Sequence, residues 1–170
     1  MSEGKDKVRT ELSVREASSR DRVILREIIG LSFPRFFRFF ADHSVNSDEG
    51  KVLVGEKHSA VVGFAKLINF CVADVKYGCI LWLAVHPNHR REGIASALVQ
   101  AGVEDLKRDG VEAVFASVQR RNKPSLATFD REEFERMGFM GLWRLFDWRI
   151  FRFYSDIWYA PGEVVLAHFQ

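Results

Sequence analysis

The chain has 170 residues, of which 47% are hydrophobic and 28% charged, a balance that suits one globular domain with a substantial core. A formal net charge of +2 is too small to argue a nucleic-acid partner, which calls for a basic patch or stripe. The first residues are too short, polar and charged for a signal peptide, and charges break every apolar run well before membrane-spanning length. A cytoplasmic protein is expected.

Residues 1–7 read as a disordered lead-in, and residues 8–170 as a single domain. Alternation of Leu12 and Val14 with polar neighbours predicts a first strand over 9–16. Ser18-Ser19-Arg20-Asp21 is helix-starting chemistry, and Val23, Ile24, Ile28 and Leu31 then recur at helical spacing. A second helix or turn follows Pro34, with Phe36, Phe37, Phe39 and Phe40 crowded around Arg35 and Arg38. Most of these rings, with Phe33, are expected in the core, and a few could wall an acceptor site. Residues 51–56 and 61–72 read as strands linked by Lys57-His58-Ser59. If residues 74–76 form the next turn, Cys71 and Cys79 face each other across adjacent strands, as a disulfide or as two buried thiols.

An apolar run over 79–85 leads into Val85-His86-Pro87-Asn88-His89-Arg90-Arg91-Glu92-Gly93-Ile94-Ala95, and an apolar-periodic helix from Ile94 to Lys107 leads out. Its buried face is expected to carry Ala95, Leu98, Val99, Gly102, Val103 and Leu106. Two arginines and a glycine at a helix N-terminus suit a polyphosphate. The first helical N–H groups lack intrahelical partners, the dipole places positive charge there, and Gly93 lets the backbone approach a ligand. An ordinary solvated strand-to-helix connection would show the same order of elements.

Asp109-Gly110 closes that helix, and residues 111–118 form a valine-rich strand. Asn122-Lys123-Pro124-Ser125 opens another helical region. A second start at Asp130-Arg131-Glu132-Glu133 predicts a bend near 129–130 in a helix that stops at Gly138. Strand character at 142–146 and 163–169 brackets an aromatic stretch, 147–162, that periodicity leaves unassigned.

Arg90-Arg91-Glu92-Gly93-Ile94-Ala95 resembles the Gln/Arg-x-x-Gly-x-Gly/Ala signature between the fourth strand and third helix of the GNAT family of N-acetyltransferases. Leu83-Ala84-Val85-x-Pro87 is similar to that family's fourth strand. Asn122, four residues after Val118, and Met137-Gly138-Phe139, similar to Leu-Gly-Phe after the family's fourth helix, complete the resemblance. The motif form looks most like the protein N-terminal acetyltransferases. The resemblance implies an α/β (α+β) fold with a mixed, mostly antiparallel sheet of about seven strands and about four flanking helices.

It also implies direct transfer of acetyl from acetyl-CoA, a co-substrate, to a primary amine: a protein N-terminus, a lysine or a small amine. The partner is then a peptide or small-molecule acceptor, with no metal, and the protein a monomer or homodimer; no nucleic-acid or membrane partner is expected from the charge and the short apolar runs. Carried over by position, backbone N–H groups of Arg91, Glu92, Gly93, Ile94 and Ala95 hold the pyrophosphate, with Ser96 beside them and Arg90 and Arg91 adding charge. Ala84, Val85 and His86 pair with the pantetheine arm, the Val85 N–H stabilises the oxyanion, and Asn122 bonds the arm.

The acid and base do not carry over. The position of the relatives' tyrosine falls on Phe129 counting from Asn122 and on Phe134 counting from Gly138, which suggests an insertion near Asp130; neither ring donates a proton. Positions of known bases fall on Cys79 and Ser117. His86 acting through water, or Tyr154 or Tyr159 as a phenolic acid, could substitute, although each also reads as a turn histidine or packed aromatic. A catalyst that relies on positioning and the oxyanion donor alone is a further alternative, since these contribute much of the rate. The alternative is a non-catalytic acetyl-CoA-binding or regulatory module.

Overall fold

A computed structural model describes residues 12–169; the expected lead-in at 1–7 and the start of the first strand lie outside them. The strands are β1 (Leu12–Glu16), β2 (Lys51–Lys57), β3 (Ala60–Val72), β4 (Val75–Val85), β5 (Ala113–Gln119), β6 (Glu135–Met137) and β7 (Glu163–Phe169). They form a seven-stranded sheet of order β1-β2-β3-β4-β5-β7-β6. β4 and β5 run parallel, whereas β1 with β2, β5 with β7 and β6 with β7 are antiparallel, the mixed, mostly antiparallel α/β sheet expected. The helices are α1 (Arg22–Ser32), α2 (Arg35–Asn46), α3 (Ile94–Arg108), α4 (Lys123–Arg131), α5 (Phe139–Phe146) and α6 (Ile150–Asp156).

Both long hairpins turn on two residues in the left-handed region: His58 and Ser59 (φ 50° and 64°), then Ala73 and Asp74 (φ 52° and 64°). Such a turn matches the twist of its flanking strands. The second lies one residue earlier than the 74–76 turn that would pair the cysteines. It sets Val72 opposite Val75, hence Phe70 opposite Tyr77, whose rings lie 5.8 Å apart, and Ile68 opposite Cys79. Because strand side chains alternate between faces, Cys71 is exposed, Cys79 is buried and both thiols are free.

The chain clusters into two compact units, one running up to Lys66 and including Trp82–Ala101, the other comprising Leu67–Leu81 and the chain from Gly102 onward. In the first, Leu25, Ile28, Ile29, Ala41, Val54, Phe64 and Ala84 form a core. The buried line of α1 is therefore Leu25, Ile28 and Ile29, while Val23 stands 82% exposed. The α2 rings are not core either. That helix buries its small residues, Ala41 and Ser44, and its phenylalanines pack on one another (Phe36 to Phe40 5.2 Å, Phe39 to Phe40 5.6 Å), with Phe36 and Phe39 more than two-thirds exposed.

Arg15 fixes the approach to α1. Its guanidinium donates to both oxygens of Asp21 (2.8 and 3.0 Å) and to Glu56 (2.8 Å), and Asp21 also accepts the Ser18 N–H at 2.7 Å. This donation, chiefly from Arg15, holds the Asp21 carboxyl well below the usual carboxylate range. Where α3 begins, a Cβ on Gly63 would stand 2.9 Å from the Ala84 carbonyl and 3.2 Å from Ile94 and Leu98, and one on Gly55 3.1 Å from Ile94. The helix rests on backbone.

The second unit is built on rings: Phe115 and Phe153 (4.8 Å), Phe146 and Phe153 (4.3 Å), and Tyr77 and Phe115 (5.7 Å). Its C-terminal half departs from the sequence reading. α4 stops at Arg131, Glu133 takes a left-handed φ of 61°, and Glu135–Met137 pairs with β7 instead of continuing a helix. Gly138 is then the N-cap of α5, a helix where 142–146 reads as a strand: Leu142 and Phe146, four residues apart, are its buried face. Met137-Gly138-Phe139 thus does not close α4. The left-handed residue after α4 is Glu133, and the Phe134 ring packs on Phe129 at 4.9 Å, so the count from Asn122, landing on Phe129, is the one that stays on the helix, with no insertion inside it.

Candidate functional site

In the first unit, β4 delivers the arginine-rich turn. The β4–β5 ladder joins Gly78–Ile80 to Val114–Ala116, so among the described residues the last part of β4 has an unladdered edge. The His86 N–H donates to the Val62 carbonyl at 2.8 Å, and the His86 carbonyl accepts the His89 N–H. Neighbouring N–H groups on a strand point in opposite directions, so the Val85 N–H points away from Val62, towards the open edge. His86 offers only its ring, whose Nδ1 accepts the Asn88 N–H (3.3 Å) and whose Nε2 lies 3.9 Å from Glu27.

Pro87–His89 form one turn of 3-10 helix. Arg90 Nε then donates to the Val85 carbonyl at 3.4 Å, and Arg91 and Gly93 both adopt left-handed φ (66° and 78°). The first bond of α3 runs from the Ala97 N–H to the Gly93 carbonyl. Among the described residues, no protein acceptor meets the N–H groups of residues 91–96. Left-handed residues interleaved in a turn draw successive N–H groups into an anion-binding concavity, and the α3 dipole adds to it. No protein atom lies within 4 Å of a Cβ built on Gly93. Glycine is needed there for its φ, and the space above it is open.

Glu92, the one acid in the turn, is drawn aside. Lys57 donates to it at 2.8 Å and His89 lies 3.5 Å away, and the Lys57 bond holds its carboxyl below the ordinary range. Arg90 and Arg91 remain exposed. Beside the turn, Trp82 packs edge-on against Phe33 at 5.3 Å and against Phe37 at 6.4 Å.

In the second unit, Asn122 is the N-cap of α4, its Oδ1 accepting the Ser125 N–H at 3.3 Å; its amide nitrogen is left as a donor. Phe129 and Phe134 are buried, so no proton donor occupies the α4 position. Ser117, in the strand where some relatives carry a histidine, donates to Glu163 at 2.5 Å, and the same carboxylate oxygen accepts the Ala160 N–H at 3.0 Å. Sequence reading missed Glu163. Its only signal is a lone carboxylate opening an otherwise apolar strand after Pro161-Gly162. Burial, with the Glu163 charge nearby, raises the Cys79 thiol far beyond any reactive range. Tyr154 and Tyr159 lie 4.6 Å apart, and burial raises the Tyr154 phenol. No group of three His, Cys, Asp or Glu able to hold a metal occurs among the described residues.

Residues 19–139 match the model of the acetyltransferase (GNAT) family. N-alpha-acetyltransferase 60 of Drosophila melanogaster is 37% identical over 71 residues, 40% of this chain and 25% of that protein. The N-alpha-acetyltransferase of Saccharolobus solfataricus is 30% identical over 64 residues, 37% of this chain and 38% of that protein. The matches thus span well under half the length of either relative. A solved structure of the PaiA N-acetyltransferase of Thermoplasma acidophilum in complex with coenzyme A superposes with a TM-score of 0.65 at 13% identity, over 94% of this chain and 99% of that one. With the signature turn in place and 19–139 matched by the family model, the chain belongs to the GNAT acetyltransferase family.

Proposed function

We propose that this protein is an acetyl-CoA-dependent N-acetyltransferase acting on a primary amine, with residues 8–170 as one catalytic domain. The observation that carries the reading is the run of N–H groups at residues 91–96 without a protein acceptor, beside exposed Arg90 and Arg91. A diphosphate is the ligand that fits such a row, because donors fixed in advance need no reorganisation to receive it. Ser96 supplies a hydroxyl beside that row, and Val85 offers the open strand edge to the pantetheine arm, whereas the backbone of Ala84, like that of His86, faces β3. The outward N–H of Val85 serves the developing oxyanion, and the free amide of Asn122 bonds the arm.

The acceptor must reach the thioester as a neutral amine, since an ammonium has no lone pair. An alkylamine is mostly protonated at neutral pH, so a proton acceptor or desolvation is needed. In the first unit the ring of His86 is a group able to move a proton; in the second, the Ser117–Glu163 pair and the phenol of Tyr154 are such groups. A protein N-terminus is the acceptor favoured by the two named relatives, both N-alpha-acetyltransferases, and its lower pKa eases deprotonation.

The second reading, a coenzyme-binding module without turnover, is supported by Phe129, which replaces a proton donor with a buried ring. Thiol release from acetyl-CoA in the presence of peptides with free N-termini separates the two. Turnover that stops when the peptide N-terminus is blocked supports the enzyme. A rise in melting temperature with acetyl-CoA, without turnover on peptides or small amines, establishes the module.

A further inference from the structure

The helices α5 and α6 carry two apolar faces. Leu142, Phe146, Ile150 and Phe153 are buried in the core of the second unit. On the outside, Phe139, Met140, Trp143 and Leu145 stand exposed, and Trp148 and Phe151 are 68% and 75% exposed. Three of the chain's four tryptophans, Trp143, Trp148 and Trp158, fall in this segment, and large apolar rings gathered on a surface mark a site of interaction.

The charges between the rings indicate what covers them. Residues 139–158 contain no lysine or glutamate. Arg144, Arg149 and Arg152 stand among the aromatics, with the Arg149 guanidinium 5.2 Å over the Trp148 ring. Asp156 pairs with Arg152 at 3.5 Å, which leaves Asp147 as the other acid. A second copy of the chain meeting this face across a two-fold axis would bring together the three arginines of each copy, with Asp147 as the one acid per copy not already drawn to Arg152. An apolar protein groove would strip water from the guanidiniums without pairing them.

We propose that this face docks on an anionic phospholipid surface, with α5 and α6 lying in the headgroup layer. Tryptophan and phenylalanine rings settle at the acyl boundary while arginine stems run along them to the lipid phosphates. No helix among the described residues is long and apolar enough to cross a membrane. That is also why the sequence expectation of no membrane partner, which rested on span length, does not reach a surface-lying pair of helices.

The test uses the full chain with vesicles of phosphatidylcholine alone or with about one-third phosphatidylglycerol, read by flotation and by tryptophan emission. The expected result is blue-shifted emission and flotation with the anionic vesicles, both reduced by salt. Trp148→Ser with Phe151→Ser should weaken partitioning at least about tenfold, and Arg144→Gln and Arg149→Gln about fivefold each, with an unchanged melting temperature for the variants at the exposed Arg144, Trp148 and Phe151 and a small change at the half-buried Arg149. Failure to float with anionic vesicles, or flotation unaltered in both sets of variants, overturns the proposal. So does a concentration-dependent dimer that Trp148→Ser with Phe151→Ser dissociates, which would assign the face to a second copy.

Discussion

Replacing Gly93 with glutamate separates what the turn does for the fold from what it does for a ligand. At φ +78° an L-residue is strained by roughly 1–2 kcal/mol. No protein atom lies within 4 Å of the new Cβ, so that strain is the whole structural penalty. At roughly 2–4 °C per kcal/mol for a chain of this size, the unliganded midpoint should fall by about 5 °C. The ligand side is harsher. A carboxylate over the N–H row repels a diphosphate and blocks its approach, and losing two charge-assisted hydrogen bonds at about 1.5–3 kcal/mol each weakens binding by more than about a hundredfold. Calorimetry with acetyl-CoA reads the affinity directly. Thermal denaturation gives a second reading: at about a hundred times the dissociation constant the wild-type protein gains about 2.7 kcal/mol, or about 8 °C, whereas the variant gains almost nothing at that concentration. A variant that binds acetyl-CoA within about twofold of wild type would show that residues 91–96 do not hold the diphosphate.

Asp21→Asn should destabilise the protein by roughly 2 kcal/mol at neutral pH by halving the Arg15 clamp. Because the folded carboxyl lies well below its unfolded value of about 3.9, the lost stability is fully present above that pH and drains away as pH falls from there towards the lower folded value. Urea denaturation should therefore show the two proteins converging below about pH 4, and a gap still undiminished near pH 3 would contradict the assignment. The cysteines give a simpler check: a thiol reagent should titrate Cys71 readily in the native protein and Cys79 only after denaturation, and equal native reactivity would mean that the β3–β4 register is wrong.

What the sequence made legible is what local chemistry dictates. The phosphate turn announces itself through adjacent arginines, one glycine and a strong helical period, and β7 through its β-branched, apolar run Val164-Val165-Leu166-Ala167. The errors share a cause: they depend on a partner distant in sequence. The α2 phenylalanines read as core because their spacing is helical, yet spacing cannot say that Ala41 and Ser44 are the residues facing inward. Leu142–Phe146 reads as a strand in a five-residue window, and becomes a helix once Ile150 and Phe153 are seen on the same core. Glu133 holds a left-handed turn that only a glycine advertises in sequence, which is why Gly138 reads as the helix stop in its place. The Ser117–Glu163 pair needs the β5–β7 register, in which Ser117 stands opposite Val165, two residues from Glu163.

Gly55 and Gly63 lie beneath the side chains of Ile94 and Leu98, and so determine how low the helix that carries the N–H row sits. With a carbonyl oxygen only 2.9 Å from where a Gly63 side chain would begin, the floor beneath Ile94 and Leu98 cannot yield by rotating a side chain away. The elevation of the donors at residues 91–96 is thus a property of the strands below. A methyl group there would lift the first turn of α3 and detune the anion site from beneath, with every residue of the signature still in place.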